Sequence, residues 1–123
     1  MPVRIHDNDA GADVFAPYDI KLQPNSVYPL PLGFGLELPN GLAGFIFPRS
    51  GLSKRGIVCE LPPIDSGYRG EIHAIISNIG NETYEIEEGE RIGQLVIMPV
   101  LTPDFTFEKS KERGTAAFGS SGR

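Results

Sequence analysis

Five short segments of this chain carry residue types able to bind phosphates, hold a metal or move a proton. In Pro48-Arg49-Ser50-Gly51, arginine offers a planar fork to phosphate oxygens, serine adds a hydroxyl, and glycine lets backbone N–H groups approach an anion. The same four residues also read as a plain turn from a strand into a helical turn, with a solvated arginine. Ile64-Asp65-Ser66-Gly67-Tyr68-Arg69-Gly70-Glu71 holds a carboxylate and a tyrosine within one glycine-flanked turn. Asp65 there can orient and deprotonate a water, and Tyr68 can pack on a sugar or a base. The plainer reading is an Asx turn beside a half-buried tyrosine.

Ala10-Gly11-Ala12-Asp13 brings a carboxylate to the start of a strand, or is an ordinary strand cap. Gly89-Glu90-Arg91-Ile92-Gly93-Gln94-Leu95 sets Gln94 into an apolar strand, where it serves a ligand or simply faces solvent. Arg113-Gly114-Thr115-Ala116-Ala117-Phe118-Gly119-Ser120-Ser121-Gly122 joins an arginine, an aromatic ring and a Gly/Ser run. Such a segment can close over a phosphate and a base, or be a disordered tail, since its composition builds no core.

The elements that must position these residues are short. The chain of 123 residues contains 15 glycines and 11 prolines, spread as punctuation between brief apolar runs. Strands are expected over 18–22, 27–32, 34–38, 42–47, 57–60, 71–78, 84–86 and 92–100, with one helical turn over 51–55. Pro39-Asn40-Gly41 reads as the turn of a hairpin joining 34–38 to 42–47. The expected fold is all-β: a distorted barrel or jelly-roll-like single domain spanning the chain, with residues 108–123 forming a flexible arm.

The formal net charge of −5 argues against a nonspecific nucleic-acid binder, which carries a basic face. Phosphate binding in an acidic protein must then be local, through a few placed groups. The single cysteine, Cys59, excludes an internal disulfide, and no Cys/His cluster has zinc spacing. No apolar run approaches the ~20 residues of a membrane span, and no signal-peptide pattern opens the sequence. A cytoplasmic location is expected, or the nucleus or host cytosol for a viral chain.

Taken together and in order, the five segments resemble the five motifs of the homotrimeric dUTPase family, across residues 9–122. The resemblance implies hydrolysis of dUTP to dUMP and pyrophosphate, which limits uracil in DNA and supplies dUMP for dTMP synthesis. It makes Asp65 the base that aligns the attacking water, and it sets Tyr68 under the deoxyribose. It has uracil read largely by main-chain groups over 58–64, a span that includes Glu60 and Ile64. Arg49, Ser50 and Gly51, with Gln94 nearby, would hold the phosphates, and Asp13 would contact Mg2+ through its water shell. Arg113 would meet the γ-phosphate, Phe118 would cover the uracil, and Gly119, Ser120 and Ser121 would complete a lid. Each site would draw on all three subunits of a homotrimer, with neither nucleic acid nor membrane as a partner.

Three departures stand out. Glu60 falls near where many relatives place a uracil-contacting asparagine, and the stretch 57–65 is compact. Ala117 stands where relatives have glycine. Gly93, where many carry alanine, is expected to be a harmless difference. Two other readings compete. A dCTP deaminase relative would need a glutamate on the strand after the third motif, where Ile75 stands instead. A partner-binding regulator using this fold would have no need of Asp65, Tyr68 and the C-terminal motif together. His73 is expected to be a strand-surface residue.

Overall fold

The computed structural model describes residues 1–4 and 10–107. Eight strands follow in order: β1 (Gly11–Phe15), β2 (Ile20–Leu22), β3 (Ser26–Pro31), β4 (Leu42–Pro48), β5 (Ile57–Cys59), β6 (His73–Asn78), β7 (Tyr84–Ile86) and β8 (Arg91–Pro99). One helical turn, α1 (Ser50–Ser53), lies between β4 and β5. No helix among the described residues is long and apolar enough to cross a membrane. The strands form three antiparallel sheets, β1-β8-β4, β2-β7 and β3-β6-β5. The arrangement is all-β and jelly-roll-like as expected, but no closed barrel is formed among the described residues.

Alternation along the strands builds the core. In β2, Ile20 and Leu22 point inward and Lys21 outward, as a two-residue period requires. Val14, Leu30, Ile46, Ile57, Ile76, Ile86, Ile92 and Leu95 join them in one cluster. Each such side chain stabilises the fold by about 1.5–3 kcal/mol when fully buried. One buried polar residue ties the sheets together. Asn78, 1% exposed, donates through Nδ2 to the carbonyls of Leu22 (2.9 Å) and Glu82 (2.8 Å), and its Oδ1 accepts from Gly80 N–H (2.9 Å).

The expected hairpin between 34–38 and 42–47 forms only its turn. Leu42 N–H donates to Pro39 C=O at 3.3 Å, and Gly41 takes a φ of 90°. Residues 34–38 have no strand partner because β4 is occupied on both sides. β8 pairs along its whole length, and Gly44 on its other edge exchanges two hydrogen bonds with Ile64. Phe34 instead accepts from Ile72 N–H at 2.9 Å. The first strand over 18–22 begins only at Ile20, and the one expected from Glu71 begins at His73.

Candidate active site

The turn that holds Asp65 is fixed at both ends. Upstream, Ile64 N–H donates to Gly44 C=O at 2.8 Å and Gly44 N–H donates back at 3.0 Å, which anchors the loop to β4. Tyr68 N–H then closes the turn on Asp65 C=O at 3.1 Å, and Arg69 Nη1 donates to Ser66 C=O at 3.0 Å. The Tyr68 hydroxyl donates to Glu71 C=O at 2.7 Å, which folds the ring back over Gly70. The Glu71 carboxylate in turn accepts from Gly33 N–H at 2.8 Å.

These contacts shape a cavity of about 180 Å³. Glu60, Ile64, Asp65 and Tyr68 all line it, together with Pro62, Pro63, Glu71 and His73. Ile46 and Ile72 form its apolar floor. Glu60 is held at the end of β5 by its N–H, which donates to Ile75 C=O at 2.8 Å. Next to it, Cys59 is packed toward Ile46 C=O. Burial, with the neighbouring Glu60 charge adding, pushes its thiol up to about 11.

A second cleft, about 250 Å³, lies where β1, β4 and β8 meet α1. Asp13, Arg49, Ser50, Arg91, Gly93 and Gln94 line it. Asp13 and Gln94 are direct cross-strand partners in the β1–β8 ladder, so their side chains share a face. Arg91 Nη1 stands 3.5 Å from Asp13 Oδ2. Arg49 caps α1, its C=O accepting from Leu52 and Ser53 N–H, and its guanidinium lies over Gly51. Two glycines permit close approaches here. A side chain at Gly11 would strike the Gln94 carboxamide, and one at Gly93 would strike the Phe47 carbonyl. Alanine at position 93 would require β4 and β8 to move apart on this backbone, which the glycine present does not.

The structure thus brings the sequence candidates together in two groups, Glu60, Ile64, Asp65 and Tyr68 in one, and Asp13, Arg49, Ser50 and Gln94 in the other, with Gly51 beside the latter. The two hollows share no lining residue among the described residues. Arg113, Phe118, Gly119, Ser120 and Ser121, with Ala117, lie outside the described residues.

No group of three or more His, Cys, Asp or Glu able to hold a metal exists among the described residues. Asp13 alone, paired with Arg91, does not make a protein cage for a cation. It fits an ion that keeps its waters and is carried by phosphates, as magnesium does.

Sequence reasoning missed Arg91 as a cleft residue and His73 as a cavity residue. The signal for His73 was its spacing: two residues from Glu71 in extended chain puts both on one face. For Arg91 no local signal existed, because its partner Asp13 lies on a distant strand.

The dUTPase family model matches residues 1–122. The deoxyuridine 5'-triphosphate nucleotidohydrolase of Leifsonia xyli is 43% identical over 130 residues, covering 99% of this chain and 85% of that protein. Its counterpart in Tropheryma whipplei is 43% identical over 129 residues, covering 99% and 88%. Among solved structures, the dUTPase of Staphylococcus aureus phage phi11, described with a structural Mg(II) ion, superposes with a TM-score of 0.82 at 29% identity, covering 91% of each chain. The dUTPase of Staphylococcus bacteriophage 80alpha with dUpNHpp gives 0.80 at 33% identity, covering 98% of this chain and 90% of that one. This chain therefore belongs to the dUTPase family, the deoxyuridine 5'-triphosphate nucleotidohydrolases.

Proposed function

We propose that this chain hydrolyses dUTP to dUMP and pyrophosphate by direct attack of water on the α-phosphorus. The observation that carries this reading is the turn at Asp65–Tyr68, which sets a carboxylate and an aromatic ring on one cavity. Asp65 takes a proton from the water as its oxygen bonds to phosphorus. The bond from the α-phosphorus to the bridging oxygen breaks, and pyrophosphate leaves with the electron pair. General-base assistance of this kind contributes roughly 10²–10⁴-fold. Tyr68 packs under the deoxyribose and leaves no room for a 2′-hydroxyl. The loop from Glu60 to Ile64 receives the uracil.

Arg49, Ser50, Gly51 and Gln94 hold the phosphates, where guanidinium forks and backbone donors oppose the developing charge. Asp13 would hold a magnesium ion through its water shell, and the bound ion supplies neutralisation of the triphosphate charge. A complete site forms between copies, in a homotrimer, a reading in keeping with the Asp65 cavity and the Arg49 cleft being lined by separate residues of the chain. Residues 108–123 close over it, with Arg113 on the γ-phosphate, Phe118 on the uracil, and Gly119, Ser120 and Ser121 completing the lid. The reaction keeps uracil out of DNA and feeds dTMP synthesis in the cytoplasm.

The test is product analysis on the purified protein with magnesium, offering dUTP, dCTP, dTTP and UTP separately. Selective formation of dUMP and pyrophosphate is expected. Ammonia released from dCTP would reassign the chain as a deaminase, and no turnover of any nucleotide would reassign it as a partner-binding relative.

A further inference from the structure

A second place with reactive groups in register is the turn Pro39-Asn40-Gly41-Leu42. Leu42 N–H closes it on Pro39 C=O at 3.3 Å, and Gly41 takes a left-handed φ of 90°, which glycine adopts without strain. The Gly41 carbonyl is engaged, accepting from Val100 N–H at 2.9 Å. Its N–H has no hydrogen-bond partner among the described residues, and neither has the Asn40 Nδ2 group. Both residues are exposed. Asparagine followed by glycine sets an electrophilic carboxamide carbon beside a main-chain nitrogen that no side chain shields. The other asparagines, Asn8, Asn25, Asn78 and Asn81, precede Asp9, Ser26, Ile79 and Glu82 instead.

A third group comes from another part of the chain. Ser66 Oγ donates to Asn40 Oδ1 at 3.3 Å. The serine is held in place: its carbonyl accepts from Arg69 Nη1 at 3.0 Å, inside the turn that Tyr68 N–H closes on Asp65 C=O at 3.1 Å. Attack on the carboxamide carbon moves negative charge onto Oδ1. A donor already placed at that oxygen stabilises the charge without reorganising, and a bond that is long at rest tightens as the charge develops.

We infer that Asn40 is a site of self-catalysed deamidation, with the Gly41 nitrogen as nucleophile and Ser66 Oγ as the donor to the oxyanion. The Gly41 nitrogen gives its proton to solvent base and bonds to Asn40 Cγ. The Cγ–Nδ2 bond then breaks, and Nδ2 takes a proton from water and leaves as ammonia. Water opens the resulting cyclic imide at either carbonyl, giving aspartate or isoaspartate. Asparagine and water become the acid and ammonia, so no further co-reactant enters. The product sets a carboxylate against Ser66, the neighbour of Asp65. Its isoaspartate form adds a side-chain carbon to the main chain just before β4.

The experiment follows the full-length folded protein during incubation at mildly alkaline pH, without any nucleotide. Samples are digested at acid pH, and peptide mass spectrometry reads amide-to-acid conversion and isoaspartate at each asparagine. Conversion is expected at Asn40 well ahead of Asn25, Asn78 and Asn81. Ser66→Ala should slow it by about threefold to tenfold, the worth of one hydrogen bond. Ser66→Thr, which keeps the hydroxyl, should return most of the rate. In urea the unaltered protein and Ser66→Ala should convert equally, because the donor is placed only by the fold. Conversion of Asn40 only after unfolding would overturn the assignment. So would equal or faster conversion in folded Ser66→Ala, which would leave the bare reactivity of an Asn-Gly pair and no site assembled around it.

Discussion

Gln94 shows how one residue's reach depends on what its neighbour lacks. Its carboxamide lies over Gly11, in space that a Cβ there would take. Gly11→Ala should displace a flexible side-chain end rather than backbone, so stability should change by less than about 1 kcal/mol. Turnover of dUTP is expected to fall by up to about tenfold, the effect of misplacing one phosphate-side hydrogen bond. Thermal unfolding and steady-state kinetics on the same variant separate the two effects. A large loss of stability with normal kinetics would contradict this role for Gln94. Cys59 gives a second prediction at this scale. With burial raising its thiol to about 11, the thiolate is scarce below that pH. Iodoacetamide should label the native protein very slowly at about pH 8 and rapidly once urea unfolds it. Fast labelling of the folded protein at that pH would contradict the buried placement.

At the scale of elements, Asn78 is the polar tie between β6, the end of β2 and the turn at Gly80–Glu82. Asn78→Ala leaves two carbonyls and one N–H without partners. The expected loss is roughly 2–4 kcal/mol in urea unfolding at fixed protein concentration, and a loss under ~1 kcal/mol would contradict it. The strands themselves were legible in the sequence where alternation was local: Ile20-Lys21-Leu22 shows its buried face directly, and Pro39-Asn40-Gly41 shows its turn. The partner of each strand was not legible, because pairing is decided by distant competition. Residues 34–38 have strand character yet form no ladder, since β8 and Ile64 already occupy both edges of β4. The same limit hid the Arg91–Asp13 pair. The motif residues themselves were readable, because Asp65 and Tyr68 share a single turn and Arg49, Ser50 and Gly51 are consecutive.

The whole molecule poses the problem of two half-sites. The cavity of Asp65 and the cleft of Arg49 are each well formed, yet they are lined by separate residues of the chain. A nucleotide triphosphate needs its base, sugar and phosphates held at once for proximity to lower the barrier. On the proposed reading one catalytic centre is built across copies, with the base from one and phosphate contacts from another. The most direct test is dUTP hydrolysis by subunits mixed from two disabled variants, Asp65→Asn and Arg49→Ala, unfolded and refolded together. Each variant alone should lose most of its turnover while still binding its own partners. The mixture should regain a measurable fraction of the unaltered activity, from centres that pair an intact Asp65 with an intact Arg49. A mixture no more active than its components, despite proven exchange of subunits, would contradict a shared centre for dUTP hydrolysis.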